Sequence, residues 1–112
     1  MAIQSSIIVS TTFGVEGRRI REYKGVVRGI TVRAPTIAQG LLGGLKSIIG
    51  GQIGAYTEMC EQARGTAYNL MIEHARELGA NAVVGMSYDA SEVASKASAT
   101  EVLCYGTAVV LD

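Results

Sequence analysis

Between Ala55 and Leu78 apolar side chains recur with the period of a helix, and no other feature of the chain restricts its fold as strongly. Tyr56, Met59, Cys60, Ala63, Ala67, Leu70, Met71, His74 and Leu78 fall on one stripe at about 3.6 residues per turn. Glu58, Glu61, Gln62, Glu73, Arg76 and Glu77 fall largely off it. Gly79 follows directly and reads as a left-handed cap, a conformation that no Cβ opposes in glycine. So long an amphipathic helix needs a surface to lie on. Ala63 and Ala67 within its stripe would let it lie close to a sheet.

The flanking sequence supplies that sheet. Ile7-Ile8-Val9-Ser10 reads as a short strand and Gly14-Val15-Glu16-Gly17 as a turn. Arg19 to Val32 is rich in Ile, Tyr, Val and Thr and predicts a long strand. Ile20, Val26, Ile30 and Val32 share one parity there, while Tyr23 and Val27 take the other. Gly25 and Gly29 sit where a bulge would absorb that slip. After Pro35, Ile37, Leu41, Leu45, Ile48 and Ile49 recur at helical spacing. Gly40, Gly43 and Gly44 each weaken that helix by ~1 kcal/mol relative to alanine. The expectation is a short helix held by packing, then a break at Gly50-Gly51. Asn81 to Asp89 predicts a strand with Ala82, Val84, Met86 and Tyr88 on one face, Ala90 to Ser98 a loop, and Thr100 to Leu111 a final strand. The order is β-β-(short α)-α-β-β. That is an α+β domain spanning 1–112, one long helix on a mostly antiparallel sheet with a short helix before it.

The final strand is apolar on both sides. Val102, Cys104, Ala108 and Val110 point one way, and Leu103, Tyr105, Val109 and Leu111 the other. One helix covers one face of a sheet. The short helix over 37–49 could cover part of the second apolar face; the rest predicts self-association, because a large uncovered apolar patch is unusual on a monomer.

Several function classes are disfavoured. Lys plus Arg and Asp plus Glu number ten each, which is no electrostatic footprint for nucleic acid. No apolar run reaches the roughly 18 residues that a membrane span needs, and the first residues carry no basic segment ahead of an apolar one. The two cysteines, Cys60 and Cys104, form neither CxxC nor zinc spacing. A reducing, cytoplasmic compartment fits such usage. Both are expected to be small buried hydrophobes. His74, the sole histidine, lies fourteen residues from Cys60, about 21 Å along a helix and too far to share an ion. Gly40-Leu41-Leu42-Gly43-Gly44-Leu45-Lys46-Ser47 approaches a P-loop but has Leu45 where the glycine before Lys-Ser is needed. No nucleophile, base and carboxylate pattern is present, so an enzyme is not expected.

One place combines features that suit a ligand. The glycines of Gly50-Gly51-Gln52-Ile53-Gly54 permit close backbone approach. The helix start beside them, with Tyr56, carries unpaired N–H groups and about half a positive charge. The strand 18–33 holds Arg18, Arg19, Arg21, Lys24, Arg28 and Arg33. Arg21, Arg28, Gly50, Gly51, Gln52 and Tyr56 are therefore the candidate binding residues, with Arg21 or Arg28 gripping a carboxylate or phosphate.

The chain also resembles the YbjQ family of small uncharacterised bacterial proteins, which carries a heavy-metal-binding label. The resemblance rests on Thr11-Thr12, Glu16-Gly17 before Ile20, and Tyr23-Lys24-Gly25-Val26-Val27-Arg28-Gly29. It continues through Gly50-Gly51, Ala55-Tyr56, Ala63-Arg64, Leu78-Gly79-Ala80-Asn81-Ala82-Val83-Val84-Gly85 and Gly106-Thr107-Ala108-Val109. It implies a β-β-α-β-β subunit in a ring-like homopentamer. The first functional expectation is a binding module that holds a metal ion or small ligand at a subunit interface. No ligand motif transfers to either cysteine, so the identity of any metal ligand stays open. After Gly50-Gly51 the family usually has Arg followed by Ser or Thr, whereas this chain has Gln52 and Ile53, which removes a cation and a hydroxyl. The alternative is a structural or interaction protein whose ring has no small-molecule ligand.

Overall fold

A 27-residue helix, α1 (Gly51–Glu77), packs on one face of a four-stranded sheet. The strands are β1 (Ile8–Val9), β2 (Ile20–Arg33), β3 (Ala82–Ala94) and β4 (Ala99–Leu111), in the spatial order β1-β3-β4-β2. Pairs β3–β4 and β2–β4 are antiparallel and β1 runs parallel to β3. The computed structural model describes residues 6–33, 51–94 and 99–112, with the backbone alone for 51–53, 55, 56, 93 and 94. The predicted short helix over 37–49, the P-loop-like stretch and Gly50 lie outside the described residues. Among the described residues no helix is long and apolar enough to cross a membrane.

The helix rests on a ridge of small side chains. Ala63, Ala67, Met71 and Ala75 recur every fourth residue and are buried against Val27, Val83, Val102, Cys104 and Ala108 of the sheet. Approach is closest at Gly29. A Cβ there would stand 1.9 Å from the Ala67 carbonyl oxygen and 2.6 Å from the Met71 amide nitrogen. The apolar stripe is narrower than predicted: Leu70 and Leu78 are exposed, and Ala75 joins the core. Cys60 is exposed and only Cys104 is buried, which corrects the expectation that both are core residues. The reason is that α1 lifts away toward its N-terminus, where no side chain of residues 57–62 is buried. The C-terminus closes as a Schellman turn, with Ala80 N–H donating to Ala75 O, Gly79 N–H to Arg76 O and Gly79 at φ 81.

The chain departs from expectation at three points. The predicted parity slip in β2 is real, but it is taken up at Gly25 (φ 116), where the register shifts between Tyr23 and Gly25. Gly29 pairs regularly with Cys104, and its role is to admit the helix. Gly51 is the first residue of α1 and not a break. Residues 90–94, expected in a loop, continue β3. Ala90, Ser91, Glu92 and Ala94 pair with Val102, Glu101, Thr100 and Ala99, and this ladder overrides the weak strand preference of small polar residues.

Among the described residues the far side of the sheet is covered at one end only. Ala82, Val84, Val109 and Leu111 form a second buried cluster, packed by Val15 and Ile20. The segment before β2 reaches over that end: Ser10 N–H donates to Val83 O, Gly85 N–H to Thr12 O and Met86 N–H to Ser10 O. Half of the expected second apolar face is therefore closed by the chain itself.

Candidate functional site

Among the described residues nothing covers the other half of that face. In an antiparallel ladder directly paired residues share a face. The pairs Val26–Thr107, Arg28–Tyr105, Ile30–Leu103 and Val32–Glu101 put these side chains on the side away from α1. Tyr23 (69% exposed), Val26 (67%), Ile30 (42%), Val32 (53%) and Tyr105 (38%) all stand there. Arg28 sits in their midst and makes no ion pair among the described residues. Strand β2 is also an edge of the sheet. One outward amide is satisfied internally, since the Arg28 N–H donates to His74 Nδ1 at 3.2 Å. That bond gives the lone histidine a structural task, accepting a backbone N–H of the edge strand.

The arginines do not gather at the start of α1. The Arg28 amide meets His74, 23 residues along from Gly51, which is about 35 Å of helix. Arg21 lies further still and pairs with Asp112 at 3.6 Å. Arg19 also pairs with Asp112, at 2.8 Å, and the Arg18 side chain donates to the Asp112 carbonyl. Lys24 pairs with Glu22. A single chain thus does not bring Arg21 or Arg28 together with Gly51, Gln52 and Tyr56. The side chains of Gln52 and Tyr56, like all of Gly50, fall outside the described residues. Three of the six basic residues in the run, Arg18, Arg19 and Arg21, hold Asp112.

The cysteines offer little to an ion. Among the described residues no three of His, Cys, Asp and Glu converge. The Cys104 thiol lies 3.6 Å from the Met71 thioether, and burial pushes it above the ordinary thiol range despite a hydrogen bond with Tyr88. A thiol so held favours its protonated form, whereas a metal needs the thiolate. The two thiols should separate sharply in reactivity. Native protein is expected to yield one fast thiol per chain to Ellman's reagent, Cys60, and to release the second only on denaturation, with rates differing on the order of a hundredfold. Equal rates would show that the core around Cys104 is open.

A cavity of about 290 Å³ lies where α1 separates from the sheet. Met59, Cys60, Ala63 and Arg64 line it from the helix, with Arg33, Ala90, Thr100 and Val102 from the ends of β2, β3 and β4. Its wall is overwhelmingly apolar apart from the two guanidinium groups. Arg33 Nη2 donates to Thr66 Oγ1 at 3.3 Å, and Thr66 donates in turn to Gln62 O. Arg64 stacks over the Tyr88 ring at 5.0 Å from its centre, a cation–π contact that holds the side chain in place. The sequence pattern did not single out this cavity. Its lining comes from four elements, and no spacing along the chain joins Arg33 to Arg64.

With this geometry in place, comparison with known proteins settles the lineage. A model of the YbjQ family, described as "putative heavy-metal-binding", matches residues 7–112. The chain belongs to the YbjQ family. YbjQ relatives include a UPF0145 protein from Legionella pneumophila strain Lens, 57% identical over 106 residues that cover 95% of this chain and 99% of that protein. A UPF0145 protein from Francisella tularensis subsp. tularensis is 54% identical over 105 residues, covering 94% and 99%. The fold recurs in a crystal structure of a DUF74-family protein of unknown function from Pediococcus pentosaceus. It has a TM-score of 0.63 at 20% identity and covers 95% of this chain and 98% of that one. The metal-binding description of the YbjQ family does not fit the described residues of a single chain, for the reasons given above.

Proposed function

We propose that this protein is a non-enzymatic, oligomeric binding protein whose copies associate through the open half of the sheet and hold their ligand where subunits meet. The observation that carries this reading is the set of five large apolar side chains on one face: Tyr23, Val26, Ile30, Val32 and Tyr105. Tyr and Arg are the residues most often responsible for binding energy at protein interfaces, and Arg28 stands among these. A ring-like pentamer is the assembly the family resemblance implies. Metal binding, on this reading, requires ligands from two copies. The second reading, an interaction protein with no small ligand, draws on the block from Leu78 to Gly85. Its residues have structural tasks: Gly79 caps α1, and Asn81 clamps β4 by accepting from Leu111 N–H at 2.7 Å and donating to Leu111 O at 3.1 Å. A thermal-shift screen of metal ions and metabolites separates the two. A saturable shift supports the binding protein, and a flat screen supports the interaction protein.

A further inference from the structure

We propose that the cavity beneath the N-terminal half of α1 binds a small amphipathic anion, an apolar body carrying one carboxylate or phosphate. Neither the family description nor the interface reading assigns this site, and one chain supplies all of its described lining. Size is the first argument: about 290 Å³ is at the lower end of small-molecule sites. The lining is the second. Met59, Ala63, Ala90 and Val102 offer an apolar surface, and among the described residues no carboxylate lines the cavity. Charge is the third. Arg33 and Arg64 both border the cavity, and neither is paired with a carboxylate among the described residues.

Both guanidiniums are placed but not consumed. Arg33 spends one N–H on Thr66, and Arg64 is held through its flat face on Tyr88. A guanidinium has five donors, so most remain for a ligand. Two acids lie near the cavity without pairing with either arginine among the described residues. Glu92 shares the cross-strand row of Thr100 and Arg33, yet lies two strands from Arg33, about 10 Å at ordinary strand spacing. Glu61 is one turn from Arg64, exposed like it, and its charge reaches Tyr88, yet it forms no ion pair with Arg64. The apolar wall lowers the local dielectric, which strengthens the attraction of two cations for an anion seated there. A neutral ligand of the same shape gains the burial but not the charge.

The test uses octanoate and 1-octanol as probes in calorimetry on the full chain. Octanoate is expected to saturate at one per chain with a Kd below about 1 mM, with octanol at least tenfold weaker. The double substitution Arg33→Gln, Arg64→Gln should weaken octanoate at least tenfold and leave octanol unchanged. Arg76→Gln, in the last turn of α1 and outside the cavity lining, should alter neither. Equal affinity for acid and alcohol, or an octanoate affinity indifferent to the double substitution, overturns the assignment of an anion. Failure of both probes to bind overturns the site itself. Either failure is distinguishable from failure of the interface reading, because neither depends on the mass of the assembly.

Discussion

Replacing Gly29 by alanine is expected to cost at least about 3 kcal/mol and to lower the melting temperature by roughly 12 °C or more. The new Cβ would lie 1.9 Å from the Ala67 carbonyl oxygen, 2.6 Å from the Met71 amide nitrogen and 2.8 Å from the Leu70 Cβ. Two of these are backbone atoms, and no rotamer change relieves them. Either β2 leaves its ladder with β4 or α1 retreats from the sheet. Retreat would strip Val27, Ala67 and Met71 of their contacts, and all three are fully buried. Alanine at Gly65 makes an informative control. A Cβ there meets nothing within 4 Å, and removing a glycine from a helix interior gains about 0.5–1 kcal/mol. Thermal unfolding followed by circular dichroism should thus move in opposite directions for the two substitutions. A harmless Gly29→Ala would mean that the helix does not ride directly on that strand.

The second large effect concerns association. Val26→Glu together with Ile30→Glu is expected to convert the assembly to monomers while leaving the subunit folded. Both side chains are well exposed in the single chain, where surface substitutions rarely cost more than about 0.5 kcal/mol. In an interface the same carboxylates would be desolvated, at a cost of several kcal/mol for each that lacks a partner. Arg28 lies between them in sequence and can offset part of the repulsion within one chain, which helps the monomer survive. The expected outcome is a light-scattering mass of 11.7 kDa with an unchanged far-ultraviolet spectrum. A double variant that keeps the wild-type mass would move the interface off this face.

What the sequence reveals about this fold follows a physical division. Gly79 was legible because a helix cap is local: one left-handed residue decides it. The slip in β2 was legible as a change of parity, and Gly25 supplies the backbone for it. Gly29 looked the same in sequence but answers to the helix above it, a tertiary cause that periodicity does not carry. Residues 90–94 were misread for a related reason, since their strand is imposed by β4 and not by their own preference. The apolar stripe of α1 correctly named Ala63, Ala67 and Met71 but included Cys60, because nothing in the repeat says where the sheet beneath it ends. The candidate ligand residues fared differently. Arg21 and Arg28 are near Gly51 in no sense that one chain provides, since the strand and the helix run in opposite directions from their closest approach. The cavity with Arg33 and Arg64 was invisible because it exists only once four elements meet.

The central claim is that the open half of the sheet is a self-association face. Size-exclusion chromatography with in-line light scattering on the wild-type protein at low micromolar concentration tests it most directly. The account predicts a mass several times the 11.7 kDa of one chain, fivefold for the ring that the family resemblance implies. A mass of 11.7 kDa would contradict it, and would leave Tyr23, Val26, Ile30, Val32 and Tyr105 exposed on a monomer.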